Sequence, residues 1–163
     1  MYDSTEDTWD HIIKVRENLE NVMTDLRFRS FLHDESKLLL PEKETFDRVT
    51  PALATLTYGS DEYKQQLSEM QDALRHHYHN NNHHPEFYAF TEDGFVDPDL
   101  LKSGEAISRM NLAALVEMLC DWKAASERHN NGDIHASIDI NAERFGLSPQ
   151  LVRILHNTVE EIL

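Results

Sequence analysis

Apolar residues recur along this chain at intervals of three and four, the period of a helix that buries one face. Over 6–26 the series is Trp9, Ile12, Ile13, Val15, Leu19, Val22, Met23 and Leu26, with Asp3, Ser4 or Thr5 available as a cap. A second helix is expected over 28–39, stopping near Pro41, and a short third over 41–48. Pro51 and Gly59 bracket a stretch without a clear period, and Ser60-Asp61 reads as the start of a helix running to about 79. The turn formers Asn80-Asn81-Asn82, Pro85, Asp93-Gly94 and Asp97-Pro98 make 80–104 irregular, and a loop of that length inside a domain is often functional. A helix over 105–128 follows, apolar at Ile107, Met110, Leu112, Leu115, Met118, Leu119 and Trp122, and ends at Asn130-Asn131-Gly132. Gly146 then separates helices over 133–145 and 148–162, the latter capped by Ser148 with Pro149 at its first position. Period-two alternation is absent. The expected fold is all-α, a single-domain bundle of about six or seven helices over 1–163.

Composition supports this picture. Five Gly and five Pro in 163 residues favour long helices over many turns. No apolar run approaches membrane-spanning length, and the polar, acidic N-terminus is not a signal peptide. The single cysteine, Cys120, makes no internal disulfide, so a reducing cytoplasm is the expected location. A net charge of −15 disfavours nonspecific nucleic-acid binding, which needs Lys and Arg on phosphates. It leaves room for a small phosphorylated substrate, because bound divalent metals invert the local field. Nothing in the sequence fixes an oligomeric state.

The ten histidines are the anomaly. His33-Asp34 places an imidazole next to a carboxylate in a helical context, a pairing suited to borderline divalent metals (Mn, Fe, Co, Ni or Zn). His76, His77, His79, His83 and His84 fall within nine positions, too many for a solvated helix end. Helical neighbours point about 100° apart, so at most one of His76 and His77 reaches a given ion. Asp121 interrupts an apolar helix, where a carboxylate is costly unless paired or metal-bound, and Glu117 shares its face one turn earlier. His11 sits among apolar neighbours on the first helix. Taken alone, it reads as an ordinary core histidine.

The order His11, His33-Asp34, histidines at 76–84, then Asp121 resembles the H…HD…H…H…D order of the HD superfamily, over about residues 9–125. His33-Asp34-Glu35-Ser36-Lys37 resembles the His-Asp-x-Gly-Lys of HD-GYP phosphodiesterases with Ser36 in place of Gly. The Gly-Tyr-Pro segment of those proteins is missing, which puts cyclic-dinucleotide hydrolysis in doubt. The segments His33 to Lys37, His77 to Glu86 and Glu117 to Trp122 are also similar to an uncharacterised family of bacterial and phage proteins. The resemblance implies a helical fold with a mono- or dinuclear metal site. One ion would be held by His11, His33, Asp34 and Asp121. Asp34 would bridge to a second, held by His77 and by His83 or His84. Asn81 and Glu86 would orient ligands, and Lys37, three residues after Asp34, would offset phosphoryl charge. His129, His135 and His156 fall outside the pattern and read as surface or capping residues. The implied activity is hydrolysis of a nucleotide or other small phosphate ester. A mixed-valent di-iron oxygenase has the same ligand types, and a non-enzymatic binding or inhibitor module with a structural metal is the third reading.

Overall fold

A helix continues until a residue cannot adopt the next helical turn, and the first helix meets no such residue for 28 positions. In a computed structural model that describes residues 2–53, 55–56, 60–128 and 132–163, α1 spans Thr5–Leu32. It runs through the junction expected near residue 27, since no Gly or Pro interrupts it. Pairs three or four residues apart, such as Arg29 with Asp25 at 2.8 Å, bridge its turns. The His33 N–H donates to the Arg29 carbonyl and closes the helix. Asp34 then takes a left-handed conformation (φ 58°, ψ 14°), which Asp tolerates better than most residues. Two compact units result, the first ending at His33 and the second beginning at Asp34.

The second unit is all-α among the described residues, with only an isolated bridge between Phe90 and Val96. A 3-10 turn at Glu35–Leu38 replaces the expected helix over 28–39. Next come α2 (Glu42–Leu53), α3 (Asp61–Ser68) and α4 (Gln71–Asn80). The single helix expected up to 79 is broken before Met70, whose side chain is buried. The irregular 80–104 stretch holds a second 3-10 turn (Pro85–Ala89) and the short α5 (Pro98–Lys102), capped by Asp97. The expected 105–128 helix divides into α6 (Glu105–Ser108) and α7 (Leu112–Ser126), because Asn111 turns extended and caps α7 through Ala114 N–H. Then follow α8 (Ile134–Phe145) and α9 (Pro149–Glu161), capped by Asp133 and Ser148. Gly59, His129 and the Asn130-Asn131 turn lie outside the described residues.

The core gathers Ile107, Met110, Met118, Leu119, Ile138, Phe145 and Leu155, with Trp122 stacked on Phe145. Gly146 ends α8 at φ 61° and sits against the backbone of Lys102 and Gly104. No helix among the described residues is long and apolar enough to cross a membrane.

His135 and His156 differ from the expected surface role. Their Nδ1 atoms lie 2.7 Å apart, and the rings are within 8° of parallel with centroids 5.0 Å apart. Such values describe two rings edge to edge sharing one hydrogen bond between α8 and α9. Asp139 accepts from His156 Nε2 at 3.2 Å.

Candidate metal centre

The left-handed residue Asp34 leads into the first 3-10 turn, whose Lys37 N–H bonds back to the Asp34 carbonyl at 2.9 Å. The last turn of α4 presents His76 and His77. Beyond it, His84 N–H bonds to the Asn81 carbonyl, and His84 is extended just before Pro85, so His83 and His84 fold back toward the helix end. Four residues meet here. Asp34, His77, His83 and His84 each offer an atom within 4.8 Å of those of the others. Separations are 2.9 Å between His77 Nε2 and His84 Nε2, 3.2 Å between His77 Nε2 and Asp34 Oδ1, and 3.6 Å between His83 Nε2 and Asp34 Oδ1. Ligands about 2.1 Å from one ion in tetrahedral geometry lie roughly 3.4 Å apart. The cluster could hold a metal ion at near-native spacing.

The far nitrogens of two of these rings are spoken for. His77 Nδ1–H donates to Glu42 Oε2 at 3.0 Å, and His83 Nδ1–H faces Glu117 Oε1 at 3.2 Å. Glu42, His77 and His83 are each at most 2% exposed. With Nδ1 facing these carboxylates, His77 and His83 turn Nε2 toward Asp34. Imidazole nitrogens and a carboxylate converging largely out of water favour a cation among them, and their spacing could take a metal ion. Carboxylates on the far nitrogen of ligating imidazoles are the usual support of a metal site.

Glu42 has a second partner, the Nδ1–H of His76 at 2.7 Å. Ser36 Oγ–H donates to Glu42 Oε2 at 3.0 Å, and Asn81 Nδ2 donates to Ser36 Oγ and to the His77 carbonyl. His76 therefore bonds the supporting carboxylate, while its neighbour His77 faces the cluster. Lys37 Nζ pairs with Asp34 Oδ2 and lies 5.3 Å from the Phe46 ring centroid. An oxygen of Asp121 comes within 4.8 Å of one of Asp34. Glu86 does not orient a ligand through a hydrogen bond. Its Oε1 accepts from Arg144 Nη2 at 2.6 Å, tying the second 3-10 turn to α8. His11, exposed in the second turn of α1, and His33, its capping residue, belong to the first unit. The sequence reading missed Glu42. Its only local mark is an acid directly after Pro41, a common way to begin any helix.

Burial works to raise the Asp34 carboxyl, but its hydrogen bond with His77 and the charge of Lys37 outweigh burial and hold it well below the carboxylate range. Burial, reinforced by His83 and His77, pushes His84 well below its ordinary 6.5. Burial raises Glu86 despite Arg144. The unfolded chain thus takes up protons at His84 and Asp34 more readily than the folded one. Both groups contribute stability above the ordinary values of 6.5 and 3.8, and that stability is lost as pH falls below each. Glu86 acts oppositely, disfavouring the folded state as pH rises above 4.5. The melting temperature of chelator-treated protein is expected to fall from about pH 6.5 downward, the histidine term coming first. A flat profile from about pH 7 to 5 would contradict this electrostatic picture.

A family model described as a family of unknown function (DUF5662) matches residues 1–161. No curated protein and no solved structure matches the chain. With nearly its whole length matched, the chain belongs to the family of unknown function DUF5662.

Proposed function

We propose that this chain is a metal-dependent phosphohydrolase acting on a small phosphate ester, nucleotides included, with Asp34, His77, His83 and His84 holding the ion. The convergence of three imidazoles and one carboxylate, two of the rings backed by Glu42 and Glu117, carries the reading. Three nitrogen donors and one oxygen suit Zn, Fe, Co, Ni or Mn. Such an ion supplies Lewis-acid polarisation of a phosphoryl oxygen and lowers the pKa of water. The protein's part is positional. Glu42 and Glu117 engage Nδ1 of His77 and His83, so that Nε2 is the atom turned toward the ion. Lys37, part-exposed beside Asp34, offers a cation to a phosphoryl oxygen as negative charge grows there. Asp121, near Asp34, would accept a proton from water or take part in a second site. The resemblance of the His and Asp order to the HD superfamily supports the same chemistry.

The test begins with elemental analysis of the protein as purified, giving a metal-to-chain ratio of about one or two. Protein loaded with Mn, Co, Ni or Fe is then assayed on nucleoside mono-, di- and triphosphates, cyclic nucleotides and simple esters. Lys37→Ala is expected to keep its metal and lose roughly 10²–10³ in turnover. Equal turnover by that variant removes Lys37 from the mechanism. If no phosphate is released with any metal, the phosphohydrolase reading fails. Oxygen consumption by iron-loaded protein would put an HD-type di-iron oxygenase in its place, and full inactivity of metal-bound protein a binding module.

A further inference from the structure

On the side of α4 turned away from the metal cluster lies an open groove of about 430 Å³. Arg75, His76, His79 and Asn80 line it from the helix, and Pro41 and Phe90 from the flanking segments. The volume falls in the range of small-ligand sites. The chemistry is unlike the rest of the molecule. In a chain of net charge −15, this groove presents a guanidinium, two imidazoles and a carboxamide.

Its acidic member, Asp72, is mostly in solvent and meets Arg75 in an exposed pair at 2.9 Å. An exposed pair of this kind is screened by water and contributes little, so an incoming anion displaces it easily. Asp72 accepts from one nitrogen of Arg75 only, whereas an incoming phosphate can take two parallel hydrogen bonds from the guanidinium. Arg75 is also steadied from the other side, its Cζ 5.8 Å from the Phe95 ring. His76, held through Nδ1 by Glu42 at 2.7 Å, lines the groove beside Arg75. His79 packs edge-on to Phe90 with centroids 4.7 Å apart, so imidazole and phenyl rings form one corner. Pro41 adds a further flat apolar surface. Polar donors and ring surfaces lining one groove suit a ligand that is both charged and planar.

We propose that this groove binds a small phosphate monoester carrying an aromatic ring, at a site separate from the metal cluster. The proposal rests on the groove's own residues and does not depend on the phosphohydrolase reading.

Chelator-treated protein tests it, because phosphate then has no metal to bind. AMP, inorganic phosphate and adenosine are titrated calorimetrically, with the imidazole NMR signals of His76 and His79 followed in parallel. AMP is expected to saturate in the submillimolar range and to shift both signals, with phosphate and adenosine each binding at least about tenfold more weakly. Arg75→Gln and His79→Gln should each weaken AMP by about tenfold while leaving the circular dichroism unchanged, and Arg75→Lys, which keeps charge but not the fork, should fall between. The proposal is overturned if AMP does not saturate by about 10 mM. It is equally overturned if Arg75→Gln binds AMP as wild type does, or if phosphate or adenosine alone binds as tightly as AMP.

Discussion

Asp34→Asn is expected to lose its bound metal while keeping its fold. Asparagine is among the few residues that accept the left-handed backbone found at Asp34, so the turn into the first 3-10 segment survives the change. Its amide oxygen is a neutral, weaker ligand, and its NH₂ group brings donors into a cluster that must present acceptors. Metal affinity should fall by about 100-fold or more, at or beyond the top of the 10–100-fold range for losing a supporting group. Glu42→Gln should fall within that range, since it disturbs the His77 tautomer and leaves all four ligands in place. Competition against a chelator followed by elemental analysis reads both variants. Asp34→Ala is the poorer probe because it adds backbone strain to ligand loss. Undiminished metal in both Asp34→Asn and His77→Ala would refute the four-residue site.

The second large effect lies far from chemistry. Gly146→Ala is expected to destabilise the protein by roughly 3–5 kcal/mol, combining left-handed strain with backbone overpacking. At φ 61° an alanine is strained in any surroundings. Here an added Cβ would also lie 2.2 Å from the Lys102 carbonyl oxygen and 2.6 Å from the Gly104 nitrogen, atoms of backbone that cannot swing away. For a chain of this size that loss lowers the melting temperature by on the order of 10 °C. Gly104→Ala approaches the same contact from the other side, 2.5 Å from the Gly146 carbonyl oxygen, so the double variant should cost less than the sum. A melting temperature within about two degrees of wild type would show that the two segments part easily.

The elements that were legible in sequence carry their own punctuation. Asp133, Gly146 and Ser148-Pro149 mark α8 and α9 almost to the residue, because caps and left-handed glycines act locally. The end of α1 was misplaced because its break is made by an aspartate in a left-handed conformation, which no Gly or Pro announces. The breaks before Met70 and at Asn111 were missed for related reasons. A buried methionine is invisible to local rules, and an Asn cap inside an apolar run looks like one polar interruption among others.

The candidate site divides the same way. Asp34, His77, His83 and His84 stand out by residue type, since histidines this dense have few other uses. Glu42 does not, because its partners lie 34 and 35 residues away and only the packing of α2 against α4 brings them to it. Glu86 sits beside the histidines in sequence and was assigned to them. Its partner Arg144 is 58 residues distant, beyond the reach of any local pattern.

Glu42 also has a mechanical meaning. Its two oxygens grip two consecutive residues of α4, His76 and His77, whose side chains leave the helix about 100° apart. A rod held at one point can roll, whereas a rod held at two points around its girth cannot. The carboxylate works as a key in a shaft. Any roll of α4 that moves His77 away from Glu42 also strains the His76 bond, because both end on the one carboxylate. Two surfaces of one helix are thereby geared through a single side chain.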